Sequence, residues 1–272
     1  MVPLTKIGPG REFAPLRIGR GQRVFVLTGA GISAESGVAT FRTSHAAPSA
    51  PPGRGPGPLP PAGLWEQHRI EEVATAHGFQ RDPLLVWRFY SERRRQVARV
   101  QPNPAHLALA RLGELLGDRL FLCTQNVDPL HEQAGSRGVV HMHGELRSTR
   151  CESCDRRPFP DEALYLERVP RCDCGARLRP ALVWFGEEPL EMRRIFAALE
   201  DCDQFLTVGS SGAVYPAAGF VSHLRNVPNR RGQFVRCVYL GLEKPENAHS
   251  FDECRLGRAG ELLPELFHVV TA

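Results

Sequence analysis

No stretch of the 272 residues comes near the ~18 consecutive apolar positions that a membrane-spanning helix needs, so the chain is expected to be soluble. The N-terminus, MVPLTKIGPGREFAPLRIGRGQR, lacks the apolar core and small-residue cleavage site of a secretory signal. A cytoplasmic location is the expectation, with a transit peptide left open by the arginine-rich composition. A strong charge of one sign is also missing: 34 Lys plus Arg against 30 Asp plus Glu leave +4 and a pI near 8.7. That is less basic than a dedicated nucleic-acid binder, so neither nucleic acid nor a membrane is expected as a partner. Internal repeats are absent. The eight cysteines do not spread as a disulfide framework: Cys151, Cys154, Cys172 and Cys174 cluster, whereas Cys123, Cys202, Cys237 and Cys254 sit singly. Without a secretion signal, such clustering favours a metal.

What is present is an alternation. Apolar runs rich in β-formers recur as RVFVLTG (23–29), RLFLCTQ (119–125), GVVHMHG (138–144), QFLTVGS (204–210) and VRCVYLG (235–241), each a predicted buried strand. Helical segments lie between them at 82–100 and 103–118, the second with Asn103 as N-cap and Pro104 at the first helical position. Strands alternating with helices predict an α/β fold, a Rossmann-like doubly wound parallel sheet. Two segments break the rhythm. TSHAAPSAPPGRGPGPLPPA (43–62) holds seven prolines and is excluded from helix and strand interiors. The cysteine-bearing stretch 147–180 reads as a smaller inserted zinc-binding domain. The sheet domain is then 1–42, 63–146 and 181–272, with 63–100 contributing to the small domain.

Several motifs carry chemistry. TGAGISAESG (28–37) follows the first strand and opens a helix, with Gly29 and Gly31 as close-approach positions for a diphosphate. A turn that only packs would have the same composition. The spacing C-x2-C, seventeen residues, C-x-C suits a closed tetrahedral site in which Cys151, Cys154, Cys172 and Cys174 hold a structural zinc. TQNVDPLHEQAG (124–135) sets Gln125, Asn126 and Asp128 just after a strand, and HMHGE (141–145) does the same for His143, at the end where open α/β sheets bind ligands. WRFYSERRR (87–95) concentrates Arg88, Arg93, Arg94 and Arg95 beside Tyr90. A solvated helix face, a nucleic-acid patch and an anion pocket would each use that charge.

Taken together and in order, GAGISAESGVATFR, TQNVDPLH, HMHGEL, the four cysteines, RPALVWFGE and VGSSGAVYPAAGF resemble the sirtuin family of NAD-dependent protein lysine deacylases over roughly residues 20 to 270. The resemblance implies that NAD is the cofactor, bound between the sheet domain and the zinc-bearing one, with the acylated lysine of a protein entering from the other side. It implies that Gly29, Ala30, Gly31 and Arg42 lie against NAD, with Gln125, Asn126 and Asp128 at its nicotinamide and ribose end. Gly209, Ser210, Ser211, Gly241 and Ala259 would hold the remaining ribose and adenine. His143 matches the catalytic base, VWFGE and GAVYP match two strands that sandwich the peptide, and Val183 would offer its carbonyl to the acylated lysine. The products would be free lysine, nicotinamide and 2′-O-acyl-ADP-ribose, and family members are often monomeric.

YSER resembles the Tyr-x-x-Arg pair of sirtuins that remove succinyl and malonyl groups, mostly bacterial in the surrounding pattern. Tyr90 and Arg93, three residues apart on one helix face, would bind the distal carboxylate. Arg88, Arg94 and Arg95 are then expected on the solvated surface. Three departures from the family are visible: Ala39 for a proline, the insertion 43–62 in the loop that closes over NAD, and Gly241 where an asparagine is usual. Mono-ADP-ribosyl transfer and a catalytically weak NAD or ADP-ribose sensor are the alternative readings.

Overall fold

The structure, a computed structural model, describes residues 5–6, 12–38 and 68–270. Ala39, Thr40, Arg42 and the proline-rich segment 43–62 lie outside the described residues. The chain divides into two compact units: one takes the residues up to 36, 101–145 and those from 188 onward, the other takes 37–100 and 146–187. The helical segment before residue 100 therefore shares a unit with the cysteines, whose stretch extends to 146 and 187.

In the first unit the apolar runs become strands because each is buried on both faces, the condition of a parallel sheet covered by helices. Six parallel strands lie in the order Glu253–Leu256, Arg236–Gly241, Gln204–Val208, Val24–Thr28, Leu120–Thr124, Val140–His141. Side chains alternate across the sheet. Val24, Val26, Leu206 and Val238 point into one apolar layer with Ile32, Leu109, Leu112 and Leu116. Phe25, Leu27, Phe205 and Cys237 point into the other with Ile195, Leu199, Phe220 and Val221. The chain starts at Val24–Thr28 in the middle, fills one side, then returns to Gln204–Val208 and fills the other. The order reverses between these two strands, and open sheets bind ligands outside the carboxyl ends of such a pair.

Asn103 caps the helix Pro104–Leu116 as expected, its Oδ1 accepting from the Ala105 N–H at 3.0 Å. Its Nδ2 also donates to the Ile32 carbonyl at 2.7 Å and to Ser36 Oγ at 3.0 Å, which ties the helix start to the turn after Val24–Thr28.

The second unit combines the helix Pro83–Val97 with a sheet in the order Phe159–Pro160, Gly144–Cys151, Leu178–Leu182. Here the expectation of a solvated position is corrected for Arg94, while Arg88 and Arg95 are exposed or partly exposed as expected. Arg94 is 4% exposed, and its guanidinium donates to the carbonyls of Leu146 (2.8 Å), Ala163 (2.8 Å) and Ser148 (3.2 Å) and to Thr149 Oγ1 (3.0 Å), with Asp161 at 3.5 Å. The reason is the supply of donors: carbonyls facing the helix from this short sheet need N–H partners, and one planar fork serves several. Arg88 donates to the Leu166 carbonyl at 2.7 Å, and Arg95 pairs with Glu92 on the surface.

Candidate functional site

The two loops leaving the reversal point are stitched together. Gly29 N–H donates to the Val208 carbonyl (2.9 Å) and Gly31 N–H to the Gly209 carbonyl (2.8 Å). A Cβ at Gly29 would stand 2.8 Å from Ser210 Cα, and one at Gly31 2.7 Å from Gly209 Cα. Both glycines are thus required by the approach of one loop to the other, and their N–H groups are already engaged. Gly209 itself has φ +64, a left-handed conformation suited to glycine. Ala30 opens the five-residue helix Ala30–Ala34.

Around this seam lie the polar residues that follow the neighbouring strand. Gln125 Nε2 donates to Ser210 Oγ at 2.9 Å. Asn126 Nδ2 donates to the Gly29 carbonyl (3.2 Å) and Ser33 Oγ (3.1 Å), and its N–H to Thr124 Oγ1 (3.0 Å). Asp128 accepts from the Leu130 N–H and from Ser33; burial nevertheless pushes its carboxyl above the ordinary range. Ser211 accepts from the Ala213 N–H at 3.4 Å.

Two histidines of HMHGE behave differently. His143 Nδ1 lies 2.9 Å from the Gln125 carbonyl. A carbonyl only accepts, so Nδ1 carries the proton in the neutral ring and Nε2 keeps the basic lone pair. Burial lowers its pKa against the smaller upward pull of that carbonyl. His141 has both nitrogens facing acceptors, the Asn126 carbonyl and Glu132 Oε1, each at 3.0 Å. Burial is the largest influence and lowers its pKa, but Glu132, the Asn126 carbonyl and Glu145 together leave the net shift upward. His131, quoted in the sequence motif but given no role there, is fully buried, its Nε2 2.9 Å from Thr28 Oγ1, which donates on to Thr124 Oγ1 at 2.8 Å. These supports have no sequence signal beyond their presence in the two motifs.

Gly241 and Ala259 lie farther along the sheet edge. Gly241 accepts from the Gly257 N–H at 3.0 Å, and a Cβ there would collide with the Tyr239 hydroxyl. Ala259 belongs to the apolar core, so only its backbone is available to a ligand.

In the second unit, Tyr90 and Arg93 share the buried face of their helix, 5% and 8% exposed. The Tyr90 hydroxyl accepts from Trp184 Nε1 at 3.2 Å, and burial pushes its pKa to about 12. The Arg93 guanidinium stands 5.9 Å from the Phe89 ring centre. Arg179 lies over the Trp184 ring at 3.5 Å and forms a bidentate pair with Glu187 at 2.6 and 2.9 Å. Arg179 and Glu187 are the first and last residues of RPALVWFGE, but neither was assigned a role from the sequence. Val183 follows the strand Leu178–Leu182, and neither VWFGE nor GAVYP forms a strand beyond a single bridge between Phe185 and Thr75.

The sulfurs of Cys151, Cys154, Cys172 and Cys174 all lie within 4.8 Å of one another, the pairs Cys151/Cys174 and Cys154/Cys172 at 3.6 and 3.8 Å. Four thiolates about 2.3 Å from a shared zinc would stand roughly 3.8 Å apart, so the residues fit that ion. The N–H groups of Ser153 and Cys154 point at Cys151 Sγ, both at 3.4 Å, and Gly175, at φ +86, closes the tight C-x-C turn. With four sulfurs the site is closed, which is the structural kind.

The family model described as Sir2 family matches residues 59–216. The chain belongs to the Sir2 family. It is 47% identical over 249 residues to the NAD-dependent protein deacylase of Pasteurella multocida, covering 89% of this chain and 95% of that one. It is 46% identical over 246 residues to the Salmonella typhimurium protein of the same name, covering 89% and 82%. Among solved structures it is similar to a Sir2 homolog–NAD complex (TM-score 0.74, 38% identity, 90% of this chain and 88% of that one). It is also similar to Sir2 bound to acetylated peptide (TM-score 0.69, 25% identity, 89% and 90%). Among the described residues of this Sir2 chain, no helix is long and apolar enough to cross a membrane.

Proposed function

We propose that the protein is an NAD-dependent protein lysine deacylase that removes acidic short acyl groups, succinyl and malonyl, with acetyl as a poorer substrate. The observation that carries the activity is His143: its proton is fixed on Nδ1 by the Gln125 carbonyl, and burial keeps the ring neutral. A neutral imidazole with Nε2 free is the form that can draw a proton from a ribose hydroxyl, the task of a general base. NAD supplies the ribose and the nicotinamide leaving group. Gln125, held by Ser210, and Asn126, held by Gly29 and Ser33, are oriented before any ligand arrives, so little ordering remains to be done on binding. Gly29, Ala30, Gly31, Arg42, Asp128, Gly209, Ser210, Ser211, Gly241 and Ala259 are proposed as the rest of the NAD site. The cysteines would hold zinc as a fold element only.

The acyl preference rests on Tyr90 and Arg93. A buried guanidinium beside a phenol that stays protonated offers a carboxylate two charge-assisted or hydroxyl donors, and an acetyl group has no use for either. Val183 is proposed to take the acylated lysine's amide on its carbonyl.

The test compares NAD-dependent release of succinate and acetate from matched acyl-lysine peptides. His143→Ala is expected to lower kcat by about 10²- to 10⁴-fold for every acyl group. Tyr90→Phe combined with Arg93→Met is expected to abolish desuccinylation and spare deacetylation. The acid limb of kcat/KM should fall below the ordinary histidine value of 6.5, because His143 is pushed down. Equal loss of both acyl activities in the double variant would remove the acidic preference, and no NAD-dependent turnover by the wild type would remove the enzyme.

A further inference from the structure

Beneath the loop that begins at Gly209 lies a small cavity of about 10 Å³, lined by apolar side chains and by Thr207, Ser210 and Asn247. Thr207 is on the face of its strand that otherwise feeds Phe205 into the apolar layer, and it is 4% exposed. Among the described residues its hydroxyl has no hydrogen-bond partner, and neither has Asn247 Oδ1. A buried hydroxyl or amide oxygen left unpaired costs about 1–3 kcal/mol each, so two facing one space need an explanation.

The orientation of Asn247 is set by its other end. Nδ2 donates to the Ala218 carbonyl at 2.8 Å, which leaves Oδ1 as a pure acceptor turned toward Gly212 and the cavity. The neighbouring Glu246 N–H donates to the Ser211 carbonyl at 3.0 Å. The turn around 246–247 therefore clasps the loop at Ser211 and again at Ala218. Thr207, at the end of the strand entering that loop, is where a third attachment would close the clasp. A cavity of this size holds a single water, and a water with two polar partners is a stable occupant.

We propose that one buried water bridges Thr207 Oγ1 and Asn247 Oδ1, and that Thr207 is through it a positioning residue for the NAD loop Gly209–Gly212. The hydroxyl of Thr207 donates to the water, and the water donates one hydrogen to Asn247 Oδ1. The bridge fixes the loop whose Ser210 holds Gln125 and whose Gly209 carbonyl holds Gly31. This role rests on the NAD reading above, whereas the water does not.

The test is therefore in two arms. A high-resolution crystal structure of the whole protein should show density within hydrogen-bond distance of both atoms, and a dry cavity overturns the proposal whatever the enzyme does. In the second arm, Thr207→Val keeps the shape and removes the hydroxyl. The KM for NAD, and the Kd by calorimetry, should rise about three- to tenfold, the size of one hydrogen bond, with kcat at saturating NAD unchanged. Thr207→Ser should restore both. A Val variant that binds NAD as the wild type does overturns the positioning role, as does a loss that Ser fails to restore. A wild type that binds no NAD defeats the NAD reading and the positioning role with it, while the crystallographic arm still decides the water.

Discussion

The two units differ in which polar side chains they bury. The first has a six-stranded sheet with an apolar layer on each face; burial lowers its His106 to about 4 and its His131 well below 6.5, which keeps both neutral, while Arg255, also fully buried, keeps its charge beside Glu253 at 2.8 Å. The second has a three-stranded sheet, and its interior is held by groups that keep their charge. Arg94 reaches backbone carbonyls and Asp161, Arg179 pairs with Glu187, and four cysteines converge. Asp161 illustrates the difference: burial alone would raise its pKa, but the Thr149 hydroxyl, the Ala163 N–H and Arg94 together leave it lowered. The smaller unit adds metal and hydrogen-bonded charge to an apolar interior that includes Phe79, Trp87, Phe89 and Trp184, and each such support is a single point of failure.

The largest expected effect comes from removing zinc. Structural zinc supplies about 10–16 kcal/mol of apparent binding free energy, which in a small unit is folding free energy. Chelation at pH 7 should expose protease sites within 70–100 and 146–187 while 101–145 stays resistant, read by limited proteolysis and mass spectrometry. Simultaneous cleavage throughout the chain would show that the two units do not differ in this way. Next comes Arg94→Met, which leaves the carbonyls of Leu146, Ser148 and Ala163 without this donor and Asp161 without its charge partner, and should cost about 3–5 kcal/mol in urea denaturation. Arg94→Lys should recover little of it, since an ammonium lacks the planar fork. A loss below about 1 kcal/mol for Met would mean that these bonds are replaced by water.

The same contrast explains what could be read from the sequence. Val24–Thr28, Gln204–Val208 and the Asn103–Pro104 cap are local patterns, set by apolar runs and by one residue's bond to its neighbour. Cysteine spacing is local too. Arg94 was not legible, because a charge run looks the same whichever member turns inward, and its acceptors lie 52 to 69 residues away. Gly29 and Gly31 were legible as a turn but not in purpose, since the atoms that require them belong to Gly209 and Ser210. The reading of 138–144 as a strand shrank to Val140–His141, and Met142 and His143 fall in the turn that follows, where His143 bonds to the Gln125 carbonyl. Gly241 stood out by its difference from relatives, while the Tyr239 hydroxyl that fills its space gave no sign.

The smallest expected effect tests the neutral side of the comparison. His106 and His131 lie with ring centres 5.0 Å apart, and His106 Nδ1 accepts from the Asn103 N–H at 3.4 Å. Unfolded, each titrates near 6.5; folded, each titrates lower, so between those values the unfolded chain binds more protons. Stability should therefore fall as pH drops from about 6.5 toward 4, by at most about 1.4 kcal/mol per pH unit per histidine, and these two should contribute nothing above pH 7.5. His141, raised by Glu132, the Asn126 carbonyl and Glu145 together against burial, works in the other direction and loses its contribution as pH rises. His106→Gln keeps an acceptor for the Asn103 N–H, since Gln serves at the third position of a capping box, but removes the titration. Its Tm should depend less on pH between 6.5 and 5 than that of the wild type. An unchanged slope would assign the acid sensitivity to other groups and leave the buried histidines of the first unit without the role that their neutrality implies.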